Sequence, residues 1–207
     1  NLPVVRFEKT VANVTTGVSP AAEATPGDRL RYALRVENLG DTDFSGFILR
    51  DELDRLNDSP AFQAGTLVIV DAPPGADTSG TSATGGAKGT GLLQVAGLTV
   101  PANGGSITVE FEVTLAPIMA NGTVVLNQSF LNINDATLAL SDDPNVNGQA
   151  DPIIADDEDP TRIVIVSAPE FLVQKTSADL TDDPDVLLAG ETLRYTIAVE
   201  NIGTDNA

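Results

Sequence analysis

Acidic side chains are the densest chemistry in this chain. In the run SDDPNVNGQADPIIADDEDPT, residues 141–161, Asp142, Asp143, Asp151, Asp156, Asp157, Glu158 and Asp159 crowd together with Asn145 and Asn147 among them. Hard carboxylate and amide oxygens at this density suit Ca2+, which takes roughly six to eight oxygen ligands and tolerates irregular geometry. The spacing is not that of the helix–loop–helix calcium motif. The expectation of a Ca2+ site on Asp142, Asp143, Asn145, Asn147, Asp151, Asp156, Asp157 and Asp159 therefore rests on ligand density, and on Gly148, which permits a tight wrap. The same run also reads as a solvated acidic connection, stiffened by Pro144, Pro152 and Pro160.

Two lysines are placed where an amine could react. Lys9 and Lys175 each sit in an apolar, strand-like stretch, and a buried Lys beside an Asn and a carboxylate can condense into an intramolecular isopeptide bond, with Asn127 or Asn132 as partner here. The plainer reading is a Lys that snorkels at a sheet edge or pairs with an acid. Glu110 and Glu112 are two residues apart on one strand, which makes them its solvent side rather than an acid–nucleophile pair facing across a cleft. Asn13-Val-Thr15, Asn121-Gly-Thr123 and Asn127-Gln-Ser129 match the N-glycosylation triplet, a short pattern that arises often by chance.

Other chemistries are excluded by composition. The chain has no His and no Cys, which removes imidazole acid–base work, imidazole and thiolate metal ligation, and disulfides. No nucleophile elbow, Walker motif or dinucleotide fingerprint occurs, and a serine nucleophile would lack its His base. An enzyme is not expected. Thirty acidic against eleven basic residues give a net charge of -19, which repels nucleic-acid phosphates and anionic lipid surfaces and favours cationic partners. The chain begins at Asn1 with no leader and no apolar run long enough to span a bilayer, and reads as an internal or processed piece of a secreted protein.

The elements that must position these residues come in a repeat. FEKTVANVTTGVSPAAEATPGDRLRYALRVENLG returns near the end as FLVQKTSADLTDDPDVLLAGETLRYTIAVENIG. Lys9-Thr10 recurs as Lys175-Thr176, and Gly27, Leu30, Arg31, Tyr32 and Val36-Glu37-Asn38 recur as Gly190, Leu193, Arg194, Tyr195 and Val199-Glu200-Asn201. Residues 1–166 thus read as one complete repeat with an acidic C-terminal loop, and 167–207 as the first strands of the next. A cation in 141–161 would, on this reading, stiffen the joint at 161–169, with Asp179, Asp182, Asp183 and Asp185 facing it from the other side.

Strict alternation marks the strands. Leu30, Tyr32, Leu34 and Val36 alternate with Arg29, Arg31, Arg35 and Glu37, and Ile107, Val109, Phe111, Val113 and Leu115 alternate with Thr108, Glu110, Glu112 and Thr114. Further strands are expected over 4–12, 44–51, 66–71, 91–98, 123–132, 136–141 and 161–167, with a short helix or turn over 51–58. The Gly/Ser/Thr-rich stretch 72–91 is too small-sided to pack and is expected to be an exposed, mobile loop. Many short strands without a sustained helical period predict an all-β fold: immunoglobulin-like antiparallel β-sandwich repeats in tandem.

The K-T pair, the block P-G-D-x-L-x-Y-x-L-x-V-E-N-L-G, the D-x-L element at Asp51–Leu53 and the S-D-D-P and D-P-T stretches resemble the bacterial surface-repeat family called domain of unknown function eleven. That resemblance implies immunoglobulin-like repeats strung along large exported proteins, with no enzymatic activity. The expected function is a repeat of an extracellular or cell-surface stalk, fibre or filament. Its partners are neighbouring copies, joined in a tandem array or by strand complementation. An adhesin or ligand-binding surface module, using loop 72–91 or another end loop, is the alternative.

Overall fold

The computed structural model describes residues 4–134, 136–151, 157–181 and 186–206. They form strands β1 (Val5–Asn13), β2 (Glu23–Ala24), β3 (Arg29–Asn38), β4 (Phe44–Ser45), β5 (Ile48–Glu52), β6 (Val68–Asp71), β7 (Leu92–Val95) and β8 (Thr99–Val100). They continue as β9 (Gly105–Thr114), β10 (Val124–Asn127), β11 (Ser129–Ile133), β12 (Ala136–Leu140), β13 (Thr161–Ile165), β14 (Phe171–Asp179) and β15 (Leu193–Asn201).

The two segments with the cleanest alternation become the two longest paired strands. β3 runs antiparallel to β9 with Tyr32 opposite Phe111 and Leu34 opposite Val109, which places the large apolar residues of both on one face. The opposite face carries the charges: Glu112 binds Arg29 at 3.1 Å and Arg31 at 2.6 Å, and Glu110 reaches Arg31 at 3.5 Å. Glu110 and Glu112 are thus the outer side of a strand, as the alternation predicts. β1 and β6 flank this pair, giving the order β1-β3-β9-β6.

A second antiparallel sheet, in the order β12-β11-β5-β7, supplies Leu49, Leu93, Val95 and Leu131 to the same core. A third sheet, β10-β13-β2, contains a parallel pairing of β13 with β2 and adds Val125, Ile163 and Ile165. The result is an all-β, immunoglobulin-like arrangement of facing sheets. With few aromatics available, the rings are concentrated: Tyr32 stacks on Phe111 at 5.3 Å and meets Phe62 edge-on at 6.2 Å.

Of the short helix or turn expected over 51–58, residues 53–56 form turns. One expectation is corrected. Loop 72–91 does not hang free: Asp77 bridges Ala96, Ser82 bridges Leu92, Ala76 and Ala83 pack against the core, and Thr90 is buried. Small side chains suit it to lie flat along β7.

The β14–β15 hairpin reproduces the β1–β3 hairpin in register. Lys9 pairs with Leu34 and Lys175 with Ile197; Val11 pairs with Tyr32 and Ser177 with Tyr195. Burial differs completely, because Tyr32, Leu34 and Val36 are sealed in the core whereas Tyr195, Ile197 and Val199 are exposed.

Candidate functional site

The charged residues inside the core converge on one point. β1 turns Val5, Phe7, Lys9 and Val11 inward, so pleat parity alone drives the Lys9 side chain into the sandwich, where it is 0% exposed. From the facing sheet, the parity of Leu49, Asp51 and Leu53 drives Asp51 in to meet it, also at 0% exposure. Lys9 Nζ donates to Asp51 Oδ2, and the Ser129 hydroxyl donates to the same oxygen at 2.5 Å. Asn127, Ser129 and Leu131 share the inward parity of their segment, so the Asn127 amide enters two residues from Ser129.

Aromatic rings wall this cluster. The Lys9 amine lies 4.7 Å from the Tyr32 ring centroid and 5.8 Å from that of Phe111. Burial pushes the Lys9 ammonium down to about 8, opposed by the charge and hydrogen bond of Asp51 and by the charge of Asp143. Burial also holds the Tyr32 phenol far above its ordinary value, reinforced by Asp51 and Asp54 and eased by the Asn127 amide beside it. Two polar atoms of the cluster, Asp51 Oδ1 and Asn127 Nδ2, are buried without a hydrogen bond of ordinary geometry. No diffusing substrate reaches groups so enclosed.

Several sequence expectations are resolved by this geometry. Lys9 does not snorkel at an edge but pairs with an acid inside the core. Asn132 has the opposite parity from Ser129 and Leu131, lies next to a register shift, and points away from Lys9. Asn13 is buried with its amide donating to Asp28 at 2.8 Å, and Asn127 is buried too, so neither presents a glycosylation acceptor. Asp51 was read only as part of the D-x-L element; its pairing escaped the sequence reading because the partner lies on another sheet, and its even spacing from Leu49 and Leu53 was the available signal. Asp54 was also missed: at φ 61 it accepts from Asn57, Ala61 and Phe62 and so holds the loop after β5.

The acidic run is brought together in part. Asp159 N–H donates to Asp142 Oδ1 at 2.8 Å and Asp143 N–H to the Asp159 carbonyl at 2.9 Å, which closes the run into a loop. Asn145 donates to Asp143 at 2.8 Å, while Asn147 donates to Asp157 at 3.2 Å and Asp159 at 3.0 Å. These amides neutralise some of the mutual repulsion. Asp142 Oδ2 remains buried without a donor, and its carboxyl is raised by burial and by the charges of Asp159, Asp157 and Asp143, against the Asp159 N–H bond. Asp151 is described and half-buried; Asp156 lies outside the described residues. Among the described residues, no group of three or more His, Cys, Asp or Glu side chains is arranged to hold a metal ion.

The loop's place in the fold differs from the joint expected for it. Lys9 N–H donates to the Asp142 carbonyl at 2.7 Å and Asp142 N–H to the Phe7 carbonyl at 3.0 Å, so the loop is clamped to the middle of β1, beside the Lys9 cluster. The hairpin is tied on elsewhere. Ser167 bonds Met119 and Asn121, and Thr204 and Asp205 accept from Met119 and Asn121. β13 runs between the two places, Asp159 preceding it and Ser167 following it. Asp182, Asp183 and Asp185 lie outside the described residues.

No family model matches the chain, and no curated protein matches it. Among solved structures it is similar to the major pilin subunit BcpA of Bacillus cereus at 12% identity and TM-score 0.45, over 97% of this chain and 56% of that one. It is similar to the C-terminal domain of the Streptococcus pyogenes antigen I/II-family protein AspA at 14% identity and TM-score 0.41, over 77% and 46%. It also overlaps a Vibrio harveyi GH20 exo-β-N-acetylglucosaminidase at 14% identity and TM-score 0.30, over 86% of this chain and 21% of the enzyme. The chain spans about half the length of the first two. The all-β class rests on the strands themselves.

Proposed function

We propose that the chain is a structural, non-catalytic segment of an extracellular or cell-surface stalk or filament, in which β-sandwich repeats follow one another end to end. The observation that carries this reading is the second hairpin, which repeats the register of β1–β3 while leaving exposed the face that the facing sheets cover in the first repeat. An apolar face of Phe171, Val173, Tyr195, Ile197 and Val199 calls for a further sheet, and an array supplies one at every step. The enclosure of Lys9 and Asp51 supports a role in holding the sandwich together rather than in turnover. The resemblance to the bacterial surface-repeat family belongs to the same proposal.

The acidic loop is proposed as its cation-responsive part, on the strength of the donorless Asp142 oxygen. The array itself is tested by small-angle scattering on chains carrying one, two and three complete repeats. A maximum dimension that grows by one sandwich per repeat, with no concentration dependence, is expected. Repeats that pack side by side into a compact particle would overturn the stalk reading, and growth that requires high concentration would replace the continuous array by strand exchange between molecules.

A further inference from the structure

We propose that Lys9 and Asn127 are joined by an isopeptide bond that forms within the folded sandwich, with Asp51 carrying the protons. A lysine, a carboxylate and a primary amide are buried around Tyr32, and each has a loose end: Asp51 Oδ1 and Asn127 Nδ2 make no hydrogen bond of ordinary geometry, and among the described residues Asp51 is the one side chain to which Lys9 donates. For an ion pair and an amide sealed together, this is a poorly satisfied arrangement. It is a well-suited arrangement for condensation.

Each residue has a part. In surroundings walled by Tyr32 and Phe111, a proton passes from the Lys9 ammonium to the Asp51 carboxylate, leaving a neutral amine and a carboxylic acid in contact. The lowered basicity of Lys9 favours that form. The Nζ lone pair attacks Cγ of Asn127, forming the N–C bond; Asp51 gives its proton to the departing Nδ2 and takes one from Nζ. The Cγ–Nδ2 bond breaks and ammonia leaves. One amide replaces another, no water is consumed, and no oxidant or reductant is needed. Ser129, donating to Asp51 Oδ2, holds the carboxyl against the amine, and the Tyr32 hydroxyl lies beside the Asn127 amide. Exclusion of water protects the product.

The second hairpin offers an independent sign that the site is repeated. Lys175 Nζ lies 4.5 Å from the Tyr195 ring, as Lys9 does from Tyr32 at 4.7 Å, although the former pair is exposed and no core compels it. The lysine–tyrosine half of the site is therefore set by the hairpin alone. The bond would tie the first strand to β10 and close most of the repeat into a ring.

The purified 207-residue chain, denatured and weighed intact, is expected to fall short of its sequence mass by one ammonia. Digestion is expected to give a branched peptide joining Lys9 to Asn127. Asn127→Ala and Asp51→Asn should each restore the full mass. A wild-type chain of full mass overturns the proposal without recourse to any variant. So does a deficit of one water with Lys9 joined to Asp51, or an ammonia deficit without the branched peptide, as a cyclised Asn121-Gly122 would give.

Discussion

A lysine and an aspartate at 0% exposure are costly to bury, and what compensates them decides how this core behaves. The pair is best examined in an Asn127→Ala background, where the amine keeps its freedom. There, Asp51→Ala strands a buried ammonium and is expected to cost about 3–5 kcal/mol in urea unfolding. Adding Lys9→Met should recover much of that loss. The same background exposes a pH dependence. Lys9 is pushed from 10.5 to about 8 by burial, against the charges of Asp51 and Asp143, so between those values the unfolded chain binds more protons than the folded one. Stability should therefore rise with pH across that window. Urea titrations at several pH values check it, with Lys9→Met as the control in which the slope disappears; a slope that survives in the control would assign it to other groups.

Strands were largely legible because their alternation is a local property, and the departures trace to single residues. The stretch 44–51 is two strands because Gly46, at φ 75, bends the chain between Phe44–Ser45 and Ile48–Glu52. The stretch 123–132 breaks at Gln128, and β2, two residues long, has too few positions to show a period. Cross-sheet meetings were not legible in this way: Lys9 and Asp51 are 42 residues apart and no pattern within either strand names the other. Nor was the packing of 72–91, where glycines serve close approach rather than looseness. Gly91 has φ 147, and a Cβ there would lie 2.7 Å from Leu53 Cδ1 and 3.0 Å from Leu67 Cδ1. Gly91→Ala is therefore expected to cost about 1–3 kcal/mol through overpacking in addition to its backbone strain. Gly122→Ala, at φ 79 with nothing within 4 Å, should cost about 1–2 kcal/mol from the backbone alone. Melting both variants side by side separates the two effects, and equal losses would mean that loop 72–91 does not press on the core.

Across the whole molecule the net charge is -19, yet its effect on stability should be concentrated where water cannot screen it. Asp142 is such a place. Its carboxyl is raised by burial first and then by Asp159, Asp157 and Asp143, so the folded chain holds a proton there above the pH at which the unfolded chain has released it. Stability from this group is present in acid and lost as pH rises through its folded value. The charged form of this carboxyl is a local penalty, on a residue clamped by backbone bonds to Phe7 and Lys9. Asp142→Asn keeps an acceptor for Asp159 N–H and removes the charge, so it should raise the thermal midpoint in chelator. Ca2+ offers the wild type the same relief, and on the cation-responsive reading it raises the wild-type midpoint saturably while leaving Asp142→Asn little changed. Because β13 separates this loop from the hairpin's attachment at Met119 and Asn121, the gain should appear in unfolding of the first sandwich and not in the stiffness between repeats. A rise that NaCl of equal ionic strength reproduces would reduce the loop to a screened acidic connection, and a change in inter-repeat stiffness alone would place the cation elsewhere.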